Sequence, residues 1–447
     1  PSVYLCSETQ ERFMWVCPPD TTPMIINHYN NDFDLPNVSY GARASVIGKI
    51  REDGMYIVHN ESEEIVNAPA SEITKGFLYN RPYTEKKNNH QEPDIISSNN
   101  HNDILLRILS NENVCSRRPI YEKYDKQVQG RTYTETGIAD AGVMAPFNSS
   151  EYPEEIREVG LALSTDHNPR FGLIDPYWSG VNAVVEAMRN VASVGATPHA
   201  ITDCLCYGNP EKPQQMWEFV EGVRGISDAC KTITLKHSPE DPTPIIAGNV
   251  SFYNESKNIP IPPSPIVSCL GKIKNVKKTI TMSFKKEGSA LIMIGKRKNE
   301  LGGSIYYSLH NELGKNVPKP NLVEVKNQIY SLTDCIEQDL IIACHDISEG
   351  GIAAALSEMT FEYSIGCDVK IDSELSIEKT LFSETGGFVL EADNNQVESI
   401  RSVFRKRNLD IYVIGKTGGN RIEIHDTINI LVEEAKTCWE NGLKEKL

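Results

Sequence analysis

A short apolar run that ends in small polar residues carries the clearest chemistry of this chain. In Pro244-Ile-Ile-Ala-Gly-Asn-Val-Ser-Phe-Tyr-Asn-Glu255, a strand from Ile245 to Ala247 leads into Gly248, Asn249 and Ser251. Glycine lets a ligand approach the backbone closely. A neutral amide oxygen beside it suits a hard cation that also holds phosphates. The same letters alone also describe a strand end with a turn. Upstream, His199-Ala-Ile-Thr-Asp-Cys-Leu-Cys-Tyr-Gly-Asn-Pro-Glu211 is a second apolar run, with the carboxylate Asp203 and a glycine turn. Downstream, Ile259-Pro-Ile-Pro-Pro-Ser-Pro265 is a stiff proline segment.

Leu301-Gly-Gly-Ser304 and His345-Asp-Ile-Ser-Glu-Gly-Gly351 share the pattern strand, glycines, helix. A helix start offers unpaired N–H groups and the positive end of a dipole, so it can hold a phosphate. Glycines there also serve as ordinary turns. His345 is either a general base or a hydrogen-bonded structural histidine, and its strand-end position favours the second role. Cys204 and Cys206 have no second pair at zinc-finger spacing, so core packing is expected of them.

The elements that position these residues can be read in order. Ala44 to Ile50 and Met55 to His59 read as a hairpin around Glu52-Asp-Gly54, a strong turn signal. From Thr84 to about residue 101 the chain is polar, Asn-rich and without periodicity, which predicts a linker or mobile loop. A helix follows, with Asn102 or Asp103 available as its cap. Val181, Val184, Val185, Met188, Val191 and Ala192 recur at helical spacing after Ser179, a candidate N-cap. Glu186 and Asn190 share another face of that helix, where a carboxylate is ordinarily solvated. A second amphipathic helix runs from Gln215 to Cys230. Further on, strands are expected over 290–294 and 340–344, helices over 322–336 and 350–359, and a closing helix from Ile428. These elements divide into segments 1–83, 84–101, 102–274 and 275–447.

Bulk composition limits the function classes. The chain has 447 residues, 39% of them hydrophobic and 24% charged, as in globular proteins of two or three domains. A formal net charge of -16 argues against nucleic-acid or anionic-membrane partners, since no basic excess exists to neutralise phosphates. A nucleotide ligand stays compatible if metal ions supply the positive charge. No apolar run approaches the ~20 residues that span a bilayer. The opening residues turn polar at once, unlike a signal peptide. Eleven cysteines, scattered singly, read as reduced thiols of a cytoplasmic protein.

An internal repeat adds a larger frame. Ser7-Glu-Thr-Gln-Glu-Arg-Phe13 echoes Ser383-Glu-Thr-Gly-Gly-Phe388, and Val46-Ile-Gly-Lys49 echoes Val413-Ile-Gly-Lys416 in the same order. The chain thus reads as the tail of one unit followed by a complete second copy.

Together with Tyr124-Asp-Lys-Gln-Val-Gln-Gly130, Asn182-Ala-Val-Val-Glu-Ala-Met-Arg-Asn190 and Ile138-Ala-Asp-Ala-Gly142, these motifs resemble the second half of the formylglycinamidine ribonucleotide synthase family (phosphoribosylformylglycinamidine synthase II). That family comprises the large ATP-dependent amidotransferase-type ligases of purine biosynthesis. The resemblance implies an α/β (α+β) fold. A duplicated aminoimidazole-ribonucleotide-synthetase-like unit is expected, with one complete N- plus C-domain pair preceded by the tail of a first unit. It implies that Glu8, Thr9, Gln10 and Ser251 contact formylglycinamide ribonucleotide (FGAR), that Asp203 and Gly248 contact ATP, and that Asn249 binds Mg2+. It implies a secondary nucleotide and metal site at Asp140, Glu186, Asn190, Asp346 and Ser348.

The resemblance further implies three partners: an N-terminal half of the synthetase, a glutaminase subunit and a small bridging subunit. No catalytic residue is assignable here, because the family's catalytic histidine lies in the first half. Two alternatives follow from the same superfamily: another single-unit ATP-using enzyme, such as aminoimidazole ribonucleotide synthetase or selenophosphate synthase, and a non-catalytic nucleotide-binding scaffold. The duplicated signature disfavours the first of these.

Overall fold

The computed structural model describes residues 5–7, 11–76, 78–94, 100–444 and 446–447. The chain divides into two units, Pro1–Asn80 and Arg81–Leu447. In the first, helix α1 (Thr22–Asn27) is followed by a hairpin of β1 (Met55–Asn60) and β2 (Glu63–Pro69), then α2 (Ala70–Lys75). The hairpin lies one element later than its sequence suggests. Asp53 accepts from the Met55 amide and Ala70 donates to the Gly54 carbonyl, so Asp-Gly begins β1 instead of joining it to residues 44–50. The turn is made by Glu61 and Ser62, with Glu61 at φ 57°. Residues 44–50 form no strand, and Val46 and Ile47 are 66% and 82% exposed.

The second unit contains two large sheets. The first has the order β3-β4-β5-β8-β6-β7, from β3 (Thr132–Thr134), β4 (Gly142–Met144), β5 (Gly160–Asp166), β6 (Thr197–Cys206), β7 (Ile245–Ser251) and β8 (Ser264–Ile273). Its pairs are antiparallel except β6 with β7, which is parallel and places β7 at the edge. Helix α3 (His101–Leu109) precedes this sheet. Helices α4 (Pro169–Ile174), α5 (Pro176–Ser193) and α6 (Pro213–Thr232) interleave its strands, and α5 packs on α6, β5 and β8.

The apolar stripe of α5 is buried as its spacing predicts, but the helix begins earlier. Asp175 is its N-cap, accepting from the Tyr177 and Trp178 amides, and Pro176 sits at the first turn, where its missing N–H is harmless. Ser179 lies inside the helix. Similarly, Asn100 caps α3 through the Asp103 amide, in place of Asn102 or Asp103.

The second sheet has the order β10-β12-β9-β13-β11-β14-β15. Its strands are β9 (Ala290–Ile294), β10 (Ala343–Ile347), β11 (Cys367–Val369), β12 (Gly387–Ala392), β13 (Tyr412–Thr417), β14 (Arg421–Ile424) and β15 (Ile428–Leu431). Its helices are α7 (Ile305–Ser308), α8 (Leu322–Glu337), α9 (Gly351–Thr360), α10 (Ile377–Phe382), α11 (Val397–Arg405) and α12 (Val432–Asn441). Two expectations shift here. The strand read at 340–344 is β10, which carries His345 and Asp346 within it. The closing helix starts at Val432, because Ile428–Leu431 pairs with β14 as a strand.

One apolar cluster joins the sheets: Val184, Met188 and Val267 pack together with Ile292, Ile329 and Phe388. Residues 84–94, read above as a linker or mobile loop, have no regular structure but are tied down. The Thr84 amide donates to Pro213 O, and Lys86 Nζ reaches Glu218 at 2.5 Å. Glu92 accepts from the Lys315 and Asn316 amides and from the Tyr307 hydroxyl.

Candidate functional site

Parallel pairing of β6 with β7 sets Asp203 opposite Gly248, Cys204 opposite Asn249 and Cys206 opposite Ser251. Side chains alternate across a strand, so these pairs divide between two faces of the sheet. Asp203 and Gly248 share one: a Cβ at position 248 would stand 2.7 Å from Asp203 Oδ1. Asn249 shares the other with Cys204, its Nδ2 lying 3.7 Å from Sγ. The Asn249 amide still reaches the Asp203 carboxylate, which burial pushes above the ordinary carboxylate range and this N–H partly restores. Ser251 Oγ lies 3.2 Å from Asn254 Oδ1. Four sequence-predicted residues thus share one strand pair at an exposed edge, with Asp203 and Gly248 on one face and Asn249 on the other. Glu8, Thr9 and Gln10 fall outside the described residues.

The secondary set converges more tightly. α5 packs against β10, which brings Arg189 to Asp346: Nε to Oδ2 is 3.6 Å. Arg189 also pairs with Glu186 one turn back at 3.5 Å. Asp140, on the loop between β3 and β4, places Oδ1 2.6 Å from His345 Nδ1 and accepts the Asp346 amide on Oδ2 at 2.9 Å. The other nitrogen of His345 meets Glu358 at 3.0 Å, and Glu358 is held by Trp439 Nε1. Asn190 Nδ2 donates to Asp166 Oδ2 at 3.4 Å. Ser348 follows at the end of β10, where its carbonyl accepts from Gly351 N. Glu186 is not a solvated helix carboxylate, as its sequence position suggests. It is 7% exposed, and Arg189 and Asp346 are 3%.

This burial fixes the electrostatics. Asp166 and Glu186 are driven well above the usual carboxylate range, first by burial and then by their negative neighbours. Asp346 is raised to about 7, by burial and then by Asp140. Burial would lower His345, but the Asp140 charge and hydrogen bonds from Asp140 and Glu358 hold it well above its usual value. Both ring nitrogens of His345 are thus engaged, Nδ1 by Asp140 and Nε2 by Glu358.

Ligand atoms of Asp140, His345 and Asp346 lie within 4.8 Å of one another. Among the described residues, Asp346 Oδ2 and Asn190 Oδ1 are buried without a hydrogen-bond partner, and Arg189 Nε stands 3.6 Å from the first as an ion pair. Unpartnered buried oxygens are costly unless something positive meets them. Hard oxygen donors of this kind fit Mg2+.

Sequence reasoning missed several members of this site. Asp166 closes β5 and Glu349 follows Ser348, where nothing in their spacing marks them. Arg189 stood beside Asn190 unremarked. Arg297 is 8% exposed with its guanidinium nitrogens unpartnered among the described residues, and burial lowers it to about 9. Glu384 had a signal, the second Ser-Glu-Thr string. Its Oε1 accepts from Ile305 N at 2.7 Å and Gly350 N at 3.0 Å. The Glu384 side chain thus accepts from backbone amides at both glycine motifs, in the place expected of a phosphate.

Comparison with known proteins follows the same outline. The family model for the AIR synthase related protein, N-terminal domain, matches residues 139–273, and that for the C-terminal domain matches residues 286–426. The chain is 42% identical to phosphoribosylformylglycinamidine synthase subunit PurL of Methanothrix thermoacetophila, over 100% of this chain and 58% of that protein. It is 34% identical to PurL of Methanocaldococcus jannaschii, over 98% of this chain and 58% of that protein. The chain therefore spans less than two thirds of these relatives. Among solved structures, PurL of T. maritima complexed with FGAR superposes with a TM-score of 0.57 at 17% identity, over 74% of this chain and 52% of that one. PurLQS from Thermotoga maritima gives 0.54 at 19% identity, over 90% and 54%. At such identities these two show the fold.

Proposed function

From the premise that this chain belongs to the AIR synthase related family, we propose that it is the later part of an ATP-dependent formylglycinamidine ribonucleotide synthase. The whole-chain identity of 42% to a PurL subunit carries this reading. The reaction would join ammonia to formylglycinamide ribonucleotide. ATP would activate the amide oxygen as a phosphate ester, and nitrogen would displace phosphate.

Asp203 and Gly248 would receive ATP, Asn249 would hold Mg2+, and Ser251 with Glu8, Thr9 and Gln10 would contact FGAR. The set Asp140, Glu186, Asn190, Asp346 and Ser348 would hold a second nucleotide through Mg2+. The buried Asn190 Oδ1, without a hydrogen-bond partner among the described residues, and the carboxylates around it support this, since a polyphosphate needs cations to sit there.

An N-terminal half would complete the site, with a glutaminase and a small bridging subunit delivering ammonia in the cytoplasm. Exposed apolar surface supports a missing partner. Phe13, Met14, Trp15 and Val16 are all exposed, as are Met144, Leu163, Ile246 and Val250 on the first sheet. Among the described residues no helix is long and apolar enough to cross a membrane.

The test is reconstitution. The purified chain should turn over no FGAR with ATP and ammonia, and should do so once the N-terminal half of a PurL relative is added. Turnover by the chain alone, or none in a reconstituted complex shown to have assembled, would end the reading.

A further inference from the structure

We propose that Cys204 and Cys206 are the two sulfur arms of a site for a thiophilic divalent cation such as Zn2+, on the face of the first sheet opposite Asp203. Their spacing alone predicts core packing, and the structure places them elsewhere. Leu205 between them turns into the core, and alternation puts both sulfurs on the other face, where each is half-buried. Strand β6 is paired on both sides, with β8 and β7, so the two side chains rise from a fixed backbone.

Their sulfurs lie 3.9 Å apart. Two Zn–S bonds of about 2.3 Å at a tetrahedral angle span about 3.8 Å. The pair is thus preset to the bite of such an ion. A third donor is in place: the side-chain amide of Asn249 touches Cys204 Sγ at 3.7 Å, and rotating that amide presents its oxygen instead. Water would complete the shell. Binding releases the two thiol protons to solvent and involves no change of oxidation state. The site shares Asn249 with the Mg2+ assignment above but needs no nucleotide, so metal alone tests it.

The experiment titrates the whole chain, kept reduced with a phosphine, with Cd2+ alone, followed by sulfur-to-metal charge-transfer absorption. One equivalent should bind and be displaced by Zn2+. Cys204→Ser and Cys206→Ser should each weaken Cd2+ by at least the ~10–100-fold that loss of an outer-shell partner costs. A variant lacking Cys6, Cys17 and Cys438, the other cysteines not buried, should keep the site intact. No charge-transfer band in the wild type, or an unchanged band in the Cys204→Ser/Cys206→Ser double variant, would overturn the proposal.

If the serine variants unfold, the wild type still decides. Zn2+ should slow alkylation of Cys204 and Cys206, read peptide by peptide by mass spectrometry. Equal alkylation rates with and without Zn2+ would refute the site.

Discussion

Asp140 Oδ1 lies 2.6 Å from His345 Nδ1, although 205 residues separate them in the chain. Because Asp140 and Glu358 raise the histidine, the ion pair favours the fold fully below the ordinary histidine value and loses effect as pH rises through the folded one. Asp140→Asn should therefore destabilise the chain by about 3–5 kcal/mol near pH 6. The loss should shrink in the alkaline range. Chemical denaturation at several pH values checks this, and a pH-independent loss would contradict it.

Glu384 gives the second pH test, with a different origin. Burial and the nearby Glu349 lift it to about 8, from an unfolded value near 4.5. Its neutral acid supports the fold fully below about 4.5, and that support is withdrawn as pH rises through about 8. Glu384→Gln keeps an acceptor for the Ile305 and Gly350 amides but cannot ionise. The stability of wild type relative to this variant should fall between about pH 5 and about pH 9, by at most about 1.4 kcal/mol per pH unit. A flat difference would show that Glu384 titrates normally.

Gly248→Ala probes the nucleotide assignment on the first sheet. The new Cβ would stand 2.7 Å from Asp203 Oδ1, so the carboxylate must turn away. The position is exposed, and stability should change by no more than about 0.5 kcal/mol. ATP affinity by calorimetry should fall by more than about tenfold, the cost of roughly one charge-assisted contact. Unchanged affinity would remove Asp203 and Gly248 from the site.

Glu92 anchors the irregular segment before α3 through three hydrogen bonds. Glu92→Ala should lower stability by about 1 kcal/mol, discounted for solvent exposure. Hydrogen exchange at the Lys315 and Asn316 amides should quicken. Unchanged exchange there would mean the carboxylate does not hold the loop.

The sequence alone determined the elements with strong periodicity and the likeness to a family. The valine stripe of α5, the apolar strand β9 and the helices α8 and α9 were legible because each is fixed by spacing along its own backbone. Residues 44–50 failed as a strand because Asp53 binds forward to Met55, a choice between two local bonds that turn statistics do not resolve.

Only tertiary structure decided which faces meet. Packing of α5 on β10 turned Glu186 from an expected surface carboxylate into a buried one and gave Arg189 its partner in Asp346. The loop between β3 and β4 brings Asp140 to His345. Strand pairing turned the side chains of Asp203 and Asn249 to opposite faces of one sheet. Spacing fixes which side chains share a face. Desolvation, and with it the charge state of every group in the site, depends on what that face is pressed against.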